Sequence, residues 1–233
     1  MKGIKTFSLM MLAMLFLCAV GCEQPSDPPP DPKPVLGEMT DARDNQTYQT
    51  VTLGDQTWLA QNLNYGSDDS KCYDDDPANC EIYGRLYNWE ASKTACPAGW
   101  HLGSDQEWST FIKYLDPNAE TQADSSVVEE SIWAGGMLKA TGNLRDETGL
   151  WNYPNVGATN SSKFSAVPAG VCYDDGSCDV MGRHAIYWTS TENASSKVWF
   201  RVLDYGLKSI YRAEEGQWGM ERGTGLSVRC LKD

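Results

Sequence analysis

The chain has 233 residues and carries 32 acidic side chains against 19 Lys and Arg, a formal charge of −13. So negative a surface repels phosphate backbones and excludes nucleic acid as a partner, and it gives no electrostatic hold on anionic lipid. With 41% hydrophobic residues, the length suits one large domain or two small ones.

Lys2 and Lys5 make a short basic head, and Phe7 to Val20 follows as a 14-residue apolar run. That run is too short to span a bilayer core about 30 Å thick. Small residues lead into a cysteine, Ala19-Val20-Gly21-Cys22. Residues 1–21 read as a secretory signal peptide whose end is similar to a bacterial lipobox. The resemblance implies that Cys22 is acylated and heads the mature chain. Two or three acyl chains anchor a protein firmly, whereas one holds it marginally. The expected partner is then a lipid bilayer, and the expected location is the cell envelope, at the outer membrane and facing the periplasm or the outside. The mature chain keeps 17 Lys and Arg against 32 acids, a net −15, and no later stretch is apolar enough to cross a membrane.

Residues 22–39 read as the lipid site and a tether. Glu23 to Pro34, EQPSDPPPDPKP, holds six of the eleven prolines and too little apolar surface to pack a core, so an extended solvated segment is expected. Folded structure is expected over 40–233. Tyr48, Val51, Leu53, Trp58 and Leu59 flank a Gly54-Asp55 turn and predict a β-hairpin. Trp89 to Ala95 is a short helix, stopped by Pro97. Ser104-Asp105-Gln106-Glu107 is a capping box, and Trp108, Phe111, Ile112 and Leu115 recur at i, i+3, i+4 and i+7 on one helical face. Residues 124–140 fit a third helix with Val127, Val128, Ile132 and Leu138 inward, although Gly135-Gly136 weakens it. Gly142 to Ser162 reads as irregular. Short strands are expected at Lys163–Val167, Ile186–Ser190, Val198–Leu203, Ser209–Tyr211 and Leu226–Leu231. The fold class is α+β, with two to three short helices packed on a twisted antiparallel sheet.

Setting aside Cys18 and Cys22 leaves six cysteines, an even number that reads as three disulfides in an exported protein. Six cysteines allow 15 pairings. Spacing suggests Cys72–Cys80 and Cys172–Cys178, which would leave Cys96 for Cys230. With no CxxC pair, and His101 and His184 standing alone, no zinc site is expected. The two acidic loops that repeat CYDD offer Asp74, Asp75, Asp76, Asp174, Asp175 and Asp179 as oxygen ligands for calcium. Their spacing matches no EF-hand, so solvated turns stapled by disulfides are the better reading, and no cofactor is expected.

The residues LGDQTWLAQNLNYG, CYDDDPANCEIYGRLYNWEASKTACPAGWHLGSDQEW, FSAVPAG, YWTSTE and SVRCLKD together resemble the Fibrobacter succinogenes major paralogous domain, a family of exported, often lipid-anchored bacterial proteins. Gly103 stands where that family usually has Pro, and Lys163 where it usually has Gly. A more distant resemblance, carried by Ala91 to Cys96, Trp100-His101-Leu102 and Ser104 to Glu107, is to C-type-lectin-like domains. In that fold the cysteine ending the first helix pairs with one in the last strand. Formylglycine-generating enzymes share the broad fold, so fold alone does not give function.

Nine tryptophans and eleven tyrosines are the functional hint. Trp58, Trp89, Trp100 and Trp108 fit core positions. Trp199, Tyr205, Tyr211 and Trp218 are the candidate ligand-binding rings, near Asp204, Glu214, Glu215 and Glu221. Such rings stack on sugar faces while carboxylates accept from hydroxyls, although they also fill irregular cores. No Gly-x-Ser-x-Gly and no Cys/His nucleophile pair is present, so no enzyme is indicated and no catalytic residue is assigned. The expected function is a non-catalytic envelope protein binding a polysaccharide or glycan, or acting in adhesion. The alternatives are a structural or protein-binding surface subunit and, third, a formylglycine-generating-type catalyst.

Overall fold

The computed structural model describes residues 27–121, 123 and 125–233. The expected signal peptide, residues 1–21, and Cys22 lie outside the described residues. The first sheet contains β1 (Val35–Thr40), β2 (Thr47–Leu53), β3 (Gln56–Leu59), β6 (Trp100–Leu102) and β14 (Cys230–Lys232), in the order β1-β2-β3-β14-β6. Gly54, at φ +59°, makes the β2–β3 turn expected from Gly54-Asp55. Leu231 of β14 pairs with Trp58 of β3, so the end of the chain closes onto the first hairpin. Strand structure begins at Val35, five residues before Thr40. β1 runs antiparallel along β2 from Val35–Thr52 to Thr40–Thr47, yet nearly all its side chains are exposed. An edge strand that buries so little leaves no alternation to read.

Among the described residues four α-helices punctuate the middle of the chain. α1 (Pro77–Tyr83) starts with Pro, and the Asp76 side chain accepts from Ala78 N. α2 (Trp89–Ala95) is capped by Asn88, whose side chain accepts from Ala91 N at 2.8 Å. α3 (Asp105–Leu115) has the expected capping box: Ser104 Oγ accepts from Glu107 N, and Glu107 Oε2 accepts from Ser104 N at 2.7 Å. Its buried Trp108, Phe111, Ile112 and Leu115 pack on Trp58, with the two indole centroids 4.9 Å apart. Gly103 packs against this cluster; a Cβ there would lie 2.5 Å from the Trp58 ring.

The expected helix over 124–140 is instead strand β7 (Val127–Ser131) followed by the single-turn α4 (Ala134–Leu138). Val127 and Val128 are β-branched and suit the strand, which pairs with a central strand of the second sheet. Gly135 and Gly136 are the reason α4 exists where it does. A Cβ on Gly135 would meet Ser209 O at 2.0 Å and one on Gly136 would meet Gly157 O at 2.3 Å, so the helix backbone lies directly on two other segments. The expected strand at 163–167 is irregular apart from a bridge at Ala166. Lys163 there adopts φ 60°, a left-handed conformation that glycine takes more cheaply.

The second sheet runs β4 (Ser70–Lys71), β5 (Leu86–Tyr87), β13 (Leu226–Ser227), β10 (His184–Glu192), β11 (Val198–Asp204), β12 (Ile210–Glu214) and β7. All its pairings are antiparallel except β10 with β13, so the sheet is mixed. A two-stranded ribbon, β8 (Val171–Cys172) and β9 (Cys178–Asp179), stands apart. Strand periodicity divides β11 between two cores. Val198, Phe200 and Val202 join Trp188, Met220 and Val228, while Leu203 joins Trp58, Phe111 and Phe164. On the Leu203 side lies a buried charge cluster. Arg201 Nη1 is 2.8 Å from Asp105 Oδ1 and Arg201 Nε is 2.7 Å from Glu130, while Arg212 donates to both Asp105 oxygens at 2.8 Å. Burial alone would raise the Asp105 carboxyl, but the two guanidiniums hold it below its ordinary value.

All three disulfides expected from spacing are formed: Cys72–Cys80, Cys172–Cys178 and Cys96–Cys230. The last joins the end of α2 to β14. The architecture is α+β, few short helices on two main sheets, stapled three times.

Candidate functional site

One face of the second sheet is not fully covered. Ile186 of β10, Val202 of β11 and Tyr211 of β12 are in register across three strands and form an apolar floor. One step along, His184 pairs with Asp204 in the same ladder. Loops build the walls: Tyr173, Asp179 and Val180 from the β8–β9 ribbon and the turn after it, Leu207 from the β11–β12 turn, and Trp218 and Met220 from the segment after β12. Together they enclose a groove of about 590 Å³, within the usual range for small-ligand sites.

Trp218 is the most exposed aromatic of the groove, at 54%, and its ring meets Phe200 edge-on at 6.2 Å. It sits in a short 3-10 turn (Gln217–Gly219) at φ 50°, a left-handed conformation that costs an L-residue about 1–2 kcal/mol. The backbone is thus held in a costly state that leaves an indole half in solvent.

The polar groups are few and already oriented. His184 Nε2 lies 2.7 Å from Asp204 Oδ2, and Asp204 Oδ1 accepts from Gly206 N at 2.6 Å. Burial would raise the Asp204 carboxyl, but His184 and the Gly206 amide hold it below its ordinary value, so it stays an acceptor at neutral pH. Tyr211 OH donates to Glu129 Oε1 at 3.1 Å, and burial raises the phenol. Among the described residues no Lys or Arg lines the groove. Behind it, Lys139 Nζ is buried and donates to Asp204 O, Leu207 O and Val156 O at 2.9, 2.6 and 3.0 Å. This holds the β11–β12 turn that carries one wall.

Two of the four rings picked from the sequence meet here, Tyr211 and Trp218. The other two do not. Trp199 is buried on the opposite side of β11, under the Arg212 guanidinium at 3.4 Å, because it alternates with Phe200. Tyr205 packs against the other core, its N–H donating to Arg183 O and its carbonyl accepting from Val156 N. Of the neighbouring acids only Asp204 lines the groove. Glu214 is bound by Lys197 and Asn193, and Glu215 by Arg222. His184, Tyr173 and Asp179 are members the sequence reading missed. The repeated CYDD motif marked the loop of Tyr173, but nothing local shows that it folds over β10.

Three of the six loop carboxylates accept from neighbouring backbone or hydroxyl groups. Asp76 caps α1, Asp175 accepts from Ser177 N and Oγ, and Asp179 accepts from Val180 N. Among the described residues no three His, Cys, Asp or Glu side chains converge as a metal site. A second depression of about 450 Å³ lies over Cys72–Cys80, but it is open and carries no aromatic ring.

No helix among the described residues is long and apolar enough to cross a membrane. Neither a curated protein nor a solved structure matches the chain. The family model of the Fibrobacter succinogenes major domain matches residues 51–232, which takes in the second sheet, the first sheet apart from β1 and the start of β2, all three disulfides and the groove, and the chain belongs to that family.

Proposed function

We propose that this chain is a non-catalytic, lipid-anchored protein of the cell envelope, held at the outer membrane through Cys22, and that its domain binds a saccharide in the groove. The observation that carries the reading is the pairing of an exposed Trp218 and Tyr211 with the ionised Asp204 beside His184. Aromatic rings cover the apolar face of a sugar ring, and a fixed carboxylate accepts from its hydroxyls. We read the domain as C-type-lectin-like. Support comes from the order of its parts: α2 ending at Cys96, strand Trp100–Leu102, the capped α3, and the bridge from Cys96 to Cys230 in the last strand. Against a formylglycine-generating activity stands the bridging of all six cysteines after Cys22.

Binding to glycan arrays and immobilised plant polysaccharides tests the site. Loss of one stacking ring worth about 1.4 kcal/mol weakens affinity about tenfold. Trp218→Ala and Tyr211→Ala are expected to lose at least that, and Trp199→Ala to keep its affinity. No binding by the unaltered protein, or equal binding by all three variants, refutes the reading. Cys22→Ser is expected to move the protein out of the membrane fraction; if it stays, the anchor is elsewhere.

A structural or protein-binding role is the second reading, favoured by the open edge of β1, where Val35 and Leu36 are 66% and 62% exposed. Crosslinking in intact cells separates the two: a reproducible protein partner captured at β1 supports it.

A further inference from the structure

The proline-rich segment, largely exposed over 27–34, also borders the domain. Pro28, Pro29 and Asp31 line a cleft of about 400 Å³ together with Trp133, Met137 and Lys208. Trp133 lies between β7 and α4, and Lys208 follows Leu207 of the groove wall. The Lys208 ammonium stands 3.2 Å from the Trp133 ring centroid, which fixes the indole in place. The Trp133 Nε1–H is buried and has no acceptor among the described residues.

These are the parts of a polyproline-recognition site. Proline fixes φ near −65°, so Asp27-Pro-Pro-Pro-Asp-Pro-Lys-Pro34 is pre-extended and loses little entropy on docking. Its carbonyls make no internal hydrogen bonds, and a rigid aromatic cleft is the kind of surface that recognises such a segment. Asp31 is exposed and borders the same cleft as Lys208, so the two charges are of opposite sign across it. At its far end the segment runs directly into β1, which is pinned to β2 over six residue pairs.

We propose that residues 28–34 are a docked strap, seated on Trp133 and Lys208, and that the strap sets the stance of the domain. From Cys22 to Asp27 the chain can then span at most about 18 Å. If Cys22 carries lipid, as proposed above, the Trp133 end of the domain and the neighbouring Leu207 wall of the groove face the membrane.

The test uses the full chain in detergent, labelled with 5-fluorotryptophan, with the Trp133 resonance assigned by its loss in Trp133→Phe. The combined variant Pro28→Gly, Pro29→Gly, Asp31→Ser is expected to shift the Trp133 resonance and raise its solvent isotope effect, leaving Trp199 and Trp218 in place. Excess peptide EQPSDPPPDPKP is expected to restore the original shift in that variant and to leave the unaltered chain unchanged. An unmoved Trp133 resonance in the variant overturns the strap. So does a shift of the unaltered chain on adding peptide, which would mean the cleft stands open for a proline-rich segment of another protein. Neither outcome depends on the groove, on lipid, or on sugar binding.

Discussion

Arg229 offers the sharpest test of what holds the domain closed. Its side chain is fully buried one residue before the last strand and has no carboxylate partner among the described residues. Instead it donates to Asn62 Oδ1 at 2.7 Å, Leu59 O at 2.9 Å, Phe164 O at 2.6 Å and Ser165 O at 3.1 Å, with the guanidinium 4.3 Å from the Phe164 ring. Burial lowers the pKa of this guanidinium, yet arginine stays protonated at any usable pH, so a charge sits in the core satisfied by neutral oxygens alone. Arg229→Lys keeps the charge and replaces a planar five-donor fork by three donors on one atom. It can reach about two of the four acceptors, and each orphaned buried oxygen costs about 1–3 kcal/mol, so the loss is about 3 kcal/mol. For a domain of this size that is a Tm drop of roughly 6–12 °C. Arg229→Met orphans all four oxygens and is expected to fall further. Calorimetry under non-reducing conditions measures both. A lysine variant within 2 °C of the parent (less than about 1 kcal/mol by the same scale), or a methionine variant more stable than the lysine one, refutes the reasoning.

Other outcomes follow from named contacts. Cys96→Ser with Cys230→Ser opens a loop with a sequence separation of 134, for which chain entropy gives about 5 kcal/mol, and denaturant titration is expected to show a loss of about that size. His101 lies between Asp233 and Glu107, 2.6 and 3.1 Å away; burial lowers its pKa, but the two carboxylates outweigh it and leave the net value above 6.5. A raised histidine contributes stability that is complete below 6.5 and lost as pH rises through the folded value. The Tm of the parent is therefore expected to exceed that of His101→Gln in mild acid, the gap closing in mild base; a gap independent of pH contradicts this. Lys139→Met removes the donor shared by three carbonyls and is expected to cost at least about 3 kcal/mol by thermal melting, and to weaken groove binding because Asp204 and Leu207 lose their clamp.

What the sequence disclosed was set by local chemistry. The Ser104–Glu107 box, the Gly54 turn and the two short cysteine loops each act within a few residues, and each formed as read. With the two short pairs assigned, Cys96–Cys230 followed by elimination. The misread segments depend on distant partners. Val127 to Leu138 fits a helical period, yet β12 takes Val127–Ser131 as a strand, and Gly135 and Gly136 answer to Ser209 and Gly157. The edge strand β1 buries too little to leave a pattern. For the site, the alternation already read in Val198, Phe200 and Val202 was enough to exclude Trp199, which must point the other way. The inclusion of His184 was beyond reach, because it requires knowing that β10 and β11 pair with His184 opposite Asp204.

The central claim is that a saccharide seats on Trp218 and Tyr211 over the Ile186–Val202 floor. The most direct measurement is an NMR titration of the labelled chain with xylo-, manno- and cello-oligosaccharides, following the nine indole N–H resonances. The account predicts that a binding sugar moves Trp218 and leaves Trp199, beneath Arg212 on the far face, where it was. Movement of Trp199 without Trp218, or no movement with any sugar, contradicts it.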